Sequence, residues 1–166
     1  MSWRGTTTVA DRIFASLPYL LPLMDGLLIF SRPFFSQFPI LSILVLPLQP
    51  LLVIYIMLNS SFFGFGSLIL FLGLYFLVVR NERIAHFIRF NTMQAILIGI
   101  VLSLCSLILR YILAPVLSNA PFIMETLMTT IFLGVVAAFF YSVIQSLMGR
   151  YAEIPTISEA VYMQVR

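Results

Sequence analysis

The chain has 166 residues, of which 61% are hydrophobic and 9% charged, and a mean hydropathy of +1.10. A soluble domain carries about a quarter charged residues, so this chain has too little polar surface to face water on all sides. An all-α integral membrane protein with several crossings follows. Its net charge of +3 comes from nine arginines against six acids, with no lysine. Those arginines flank apolar runs instead of clustering on one face between aromatics, which argues against nucleic-acid binding.

In chain order, residues 1–10 are polar and lack the Arg-rich amphipathic extension of an organellar transit peptide. The first apolar run, 13–30, contains Asp25 and has no small-residue cleavage site, so it reads as a retained transmembrane helix. A carboxylate inside hydrocarbon costs at least ~2.5 kcal/mol, so Asp25 is expected to face a cavity or a partner. The second run, 40–58, is punctuated by Pro39, Pro47 and Pro50, and each interior proline removes a backbone donor. It is expected to be a re-entrant or interfacial element packed against protein. Only Asn59-Ser60-Ser61 separates it from the next span, 62–79. The glycines of Gly64-Phe-Gly66 are too few for a nucleotide-binding fingerprint.

Residues 80–90 are predicted to form a short interfacial helix, with Glu82, His86 and Arg89 on one side and Ile84, Phe87 and Ile88 on another. It leads into a span at about 90–110. There Thr92, Ala95, Gly99, Ser103, Ser106 and Arg110 share a narrow arc, which suits helix packing, a polar conduit or a partner-docking face. The last span, 122–149, carries Thr130, Gly134, Ala138, Ser142 and Ser146 at every fourth position, a helix-packing stripe. The tail, 150–166, turns polar. Pro155 stands near the start of a short helix whose Ile157, Ala160, Val161 and Val165 are predicted to face the membrane. The whole chain is read as one membrane domain.

Four crossings, with 40–58 not crossing and both termini inside, place seven of the nine arginines on the cytoplasmic side. Those seven are Arg4, Arg12, Arg80, Arg83, Arg89, Arg150 and Arg166, while Arg32 and Arg110 fall outside. A fifth crossing lowers that number or translocates the N-terminus. On the outer side the count brings Asp25, Arg110 and Glu125 to one level, as a candidate intramembrane charge pair with a competing acid.

No catalytic, cofactor-binding or metal-ligating set is predicted. His86 is the only histidine and Cys105 the only cysteine, and no His-Glu-x-x-His or phosphate-binding loop occurs. Neither enzyme activity nor a cofactor is expected.

Three segments together carry a family resemblance. They are Leu17-Pro-Tyr-Leu-Leu-Pro-Leu-Met-Asp-Gly26, then Val79-Arg-Asn81 with Arg89-Phe-Asn-Thr-Met-Gln-Ala95, and then Phe140-Tyr-Ser142 with Ile154-Pro-Thr-Ile-Ser-Glu-Ala160. Their order and spacing resemble the twenty-kilodalton subunit of the translocon at the inner envelope membrane of chloroplasts and its cyanobacterial relatives. The signature Arg89, Phe90, Asn91, Met93, Gln94 and Ala95 is the most specific part. The resemblance implies a four-span protein that helps move preproteins across a membrane among membrane partners, through self-association or on a polypeptide substrate. The absence of a transit peptide and of lysine points to a cyanobacterial member in the plasma or thylakoid membrane, or to the plastid inner envelope if organellar. Read from the residues alone, a small-solute or ion transporter and an assembly or scaffold subunit remain alternatives.

Overall fold

The computed structural model describes residues 7–62 and 65–165 and consists of helices, with no strand among the described residues. We number them α1 (Val9–Ile29), α2 (Arg32–Gln37), α3 (Pro39–Ser61), α4 (Gly66–Val79), α5 (His86–Val116), α6 (Pro121–Leu147) and α7 (Ile157–Gln164). Four of them, α1, α3, α5 and α6, are long and apolar enough to cross a membrane. Arg4, Arg166 and Gly64 lie outside the described residues.

Helix α1 starts where the sequence supplies a reciprocal cap. The Thr8 hydroxyl accepts from the Asp11 N–H at 3.2 Å, and the Asp11 carboxylate accepts from the Thr8 N–H at 2.9 Å. Pro18 then lacks the donor an α-helix needs, and Leu17–Tyr19 tightens into a 3₁₀ turn before the helix resumes. Close approach to α6 comes at Gly26, where an added Cβ would lie 2.8 Å from Val135 Cγ1.

The prolines of α3 leave their mark. Pro39–Leu48 is 3₁₀, with Pro47 inside it, and regular α-helix begins only at Gln49. At the other end of α3, Gly66 sits against the backbone of Leu58 and Asn59, at 2.7–2.8 Å for a hypothetical Cβ. The Asn59 side chain accepts from the Ser67 N–H at 2.8 Å, occupying an otherwise orphaned donor in the first turn of α4. Helices α3 and α4 therefore form a tight hairpin. Helix α4 is only 14 residues long and finishes in a π turn over Tyr75–Val79, with the Arg80 N–H on the Tyr75 carbonyl.

The interfacial helix expected over 80–90 does not form as a separate element. The Asn81 side chain accepts from the Arg83 N–H at 3.1 Å and its carbonyl from the Ile84 N–H, which makes a turn. Helix begins at His86 and runs on without a break into the long α5. Just beyond α6 lies Gly149, whose φ of 73° is the left-handed conformation that favours glycine. A side chain there would also strike Thr7 and Arg12.

Two hydrophobic clusters organise the bundle. The larger joins α1, α5 and α6 through Tyr19, Leu23, Leu27, Leu102, Phe132 and Val135. The smaller gathers Val79, Phe90, Met93, Ile96, Val161 and Val165. The membrane-side stripe expected on α7 therefore faces inward: Val161 and Val165 are buried against α5, because Phe90 and Met93 present a complementary apolar surface there.

The start of α1, the 80–89 segment and the chain after α6 meet at one end of the bundle. Arg12, Arg80, Arg83, Arg89 and Arg150 all belong to it, and we call it the arginine-rich end. Arg32 follows α1 at the far end, and Arg110 lies beyond the middle of α5.

Candidate functional site

The signature segment occupies the first turns of α5, and its polar members are buried. Asn91, Thr92 and Gln94 are fully enclosed. Asn91 joins three helices. Its carbonyl oxygen accepts from the Tyr19 hydroxyl at 2.9 Å and the Ser146 hydroxyl at 3.1 Å, and its amide donates to the Phe87 carbonyl at 2.8 Å. One turn on, the Gln94 amide donates to the Ala152 carbonyl and its oxygen accepts from Ser158 at 3.4 Å. Gln94 thereby fastens the chain after α6 to α5. Arg89 donates from Nε to the Val79 carbonyl at 2.8 Å and so caps the end of α4. Phe90 packs edge-on to Tyr151, with ring centroids 4.9 Å apart. His86 lies beside Tyr151, Nδ1 3.0 Å from the hydroxyl, as a part-buried polar contact. The signature therefore forms a joint. Its residues hold α1, α4, α5, α6 and α7 in register.

A second feature lies farther along the bundle. Between α1, α4 and α5 lies a partly open cavity of about 340 Å³, lined by Pro22, Leu68, Phe71, Ala95, Gly99 and Ser103 among others. Its polar centre is Asp25, which accepts from the Tyr55 hydroxyl at 2.6 Å. Ser67 contributes a further polar wall.

The expected charge pair is not brought together. Among the described residues Asp25 bonds Tyr55, not Arg110 or Glu125. Arg110 is exposed, its guanidinium 5.7 Å from the Tyr111 ring centroid, and Glu125 is exposed near the start of α6. The reason is geometric: Ser103, level with Asp25 in the cavity, precedes Arg110 by about two helical turns. The small-polar arc of α5 divides in the same way. Thr92 and Ala95 are buried, Gly99 and Ser103 line the cavity, and Arg110 lies outside it.

The α6 stripe is also split. Ser142 and Ser146 are fully buried, Ala138 is half-buried, and Thr130 and Gly134 are exposed. A four-residue repeat rotates steadily off one face, so the buried outer positions are Phe132 and Val135 instead. Tyr19 and Tyr55 are hydrogen-bond partners the residue-by-residue reading did not single out. A hydroxyl-bearing aromatic inside an apolar helix is the signal for them. Cys105 is half-buried and free.

A sequence model described as "Chloroplast import apparatus Tic20-like" matches residues 8–161. This chain belongs to the Tic20 family. A Tic20 family protein of Synechocystis sp. is 48% identical over 166 residues, covering 100% of this chain and 99% of the relative. The Tic20 family protein Ycf60 of Porphyra purpurea is 33% identical across 96% of this chain and 77% of its own length. "Protein TIC 20-II, chloroplastic" of Arabidopsis thaliana is 32% identical across 96% of this chain and 74% of its own length. The family relation reaches from the cap of α1 to the middle of α7, so it takes in both the Asn91–Gln94 joint and the Asp25 cavity. A Tic20-family chain with four long apolar helices is a membrane protein, and its names point to a transport or import component.

Proposed function

We propose that this chain is a membrane subunit of an assembly that moves polypeptides across a membrane. The observation that carries the reading is the family match over residues 8–161, which spans nearly every helix. A single copy is too slight for the task alone, since its helices close on two packed clusters and leave a partly open cavity of only about 340 Å³. Partner subunits or further copies complete the path.

In this reading α1, α4, α5 and α6 cross, and the arginine-rich end faces the cytoplasm or stroma, as the positive-inside rule favours. Helix α3 enters only as far as Asp25 and Gly66, near the far end of α1, because its Tyr55 and Asn59 meet those residues there. The full-length identity to the Synechocystis relative supports a cyanobacterial plasma or thylakoid membrane.

Site-specific photocrosslinkers at Leu72 and Phe76, exposed on α4 outside the cavity, in membranes holding an arrested secretory or insertion intermediate, test the proposal. Adducts to the arrested chain are expected. Adducts only to a pigment-protein or respiratory complex of fixed stoichiometry would make it a scaffold subunit. Solute flux through purified protein in liposomes, without such adducts, would make it a small-solute transporter.

A further inference from the structure

We infer that the cavity between α1, α4 and α5 is a docking site for a transmembrane helix of a partner protein that carries one lysine or arginine at the depth of Asp25. Three features of the cavity converge on that occupant. The first is charge: Asp25 is a carboxylate with one hydrogen bond, from Tyr55, and no ion pair among the described residues. It lies four residues before the end of α1, beside a partly open space. An acid at such a position calls for a cation.

The second is the surroundings of the acid. Ile29, Leu68, Phe71, Ile100 and Leu104 line the same space, so an occupant must be apolar around its one cationic group. Anionic headgroups are repelled by the carboxylate. A volume of about 340 Å³ admits a long side chain with its neighbours, near the low end of the range for small-ligand sites.

The third is the floor. Ala95, Gly99 and Ser103 follow at four-residue spacing along α5 and line the cavity, the small-residue pattern that lets a second helix come close. A Cβ added at Gly99 meets no atom within 4 Å, so the floor is open where a neighbouring helix would rest. The docking stands apart from the translocation reading, because a partner helix can seat here in an assembly of any purpose.

The full chain in nanodiscs of neutral phospholipid is titrated with synthetic helices of about 20 apolar residues carrying a central Lys, Leu or Glu. Binding is read by energy transfer. The Lys helix is expected to bind roughly tenfold tighter than the Leu helix, and the Glu helix weakest. Asp25→Asn should bring the Lys helix down to the Leu level. Gly99→Phe should abolish binding of all three while leaving the fold intact, because its ring enters open space. Equal binding of Lys and Leu helices, or an unchanged Lys preference in Asp25→Asn, overturns the proposal. So does a Gly99→Phe protein that displaces a co-purifying lipid but binds the Lys helix as before. If Asp25→Asn does not fold, Tyr55→Phe and Gly99→Phe decide the matter with the same helices. No translocating chain enters this experiment, so its failure leaves the proposed function standing.

Discussion

The two ends of this bundle are held together by different physics. At the arginine-rich end, buried polar side chains tie helices to one another: Asn91 joins Tyr19 and Ser146, and Gln94 joins Ala152 and Ser158. At the far end, α3 is largely exposed, with Tyr55 its one buried side chain, and its polar ties are Tyr55 to Asp25 and Asn59 to the Ser67 N–H. Within hydrocarbon, apolar helices gain little from meeting each other, because lipid is just as apolar. Buried hydrogen bonds and close backbone contact decide which helices stay together. The first end has many such ties and the second has few, so the first should behave as a rigid anchor and the second as the adaptable part.

Substitutions can break or sharpen that contrast. Asn91→Leu removes the acceptor of two hydroxyls in three-helix contact and should cost about 3 kcal/mol, read from thermal unfolding in mild detergent. Gly66→Ala tests a place where the far end is tight. The new methyl would meet the Asn59 backbone, which cannot yield as a side chain does, and about 2 kcal/mol should be lost in the same assay. Gln94→Leu should cost about 1.5 kcal/mol and free the chain after α6, seen as faster proteolysis at 153–156. Tyr55→Phe leaves Asp25 without its donor, for a loss of about 1 kcal/mol, and should raise the crosslinking of α3 to lipid probes. Arg110→Leu should move stability by less than about 0.5 kcal/mol. Reversing both Asp25 and Arg110 should rescue nothing, since the two are not in contact. A larger loss at Tyr55 than at Asn91 would invert the comparison.

Much of the bundle was legible in the residues. Composition and run length pointed to a helical membrane protein, and the prolines marked the 40–58 run as irregular, where Pro39–Leu48 is indeed 3₁₀. The expectation that Asp25 faces a cavity also holds. Its partner was not legible, because arginine attracts attention as the obvious counterion, whereas Tyr55 lies thirty positions away and reads as one more aromatic. The inward turn of α7 was hidden for a related reason. An apolar stripe of four residues has the same pattern whether it meets lipid or Phe90 and Met93. The signature segment was visible as a pattern, yet its role needed coordinates, since nothing in Arg-Phe-Asn-Thr-Met-Gln-Ala says that Asn91 and Gln94 face Ser146 and Ala152. Thr156, at a φ of 70°, is a backbone choice no β-branched residue announces.

The unequal helix lengths bear on the bilayer itself. At 1.5 Å per residue the 31 residues of α5 extend about 46 Å, whereas the 14 residues of α4 reach about 21 Å, against a hydrocarbon slab of ~30 Å. One slab cannot match both. Leu68, Ile69, Leu72, Phe76 and Leu77 of α4 are exposed, so lipid meets the short helix directly. In the proposed arrangement, where α4 crosses, the two leaflets pinch together beside it, or the Asn59-Ser60-Ser61 turn sinks below the headgroups, at a cost of a fraction of a kcal/mol for each ångström of mismatch. Either way the flank bearing the Asp25 cavity is where the mismatch between this protein and its bilayer is greatest.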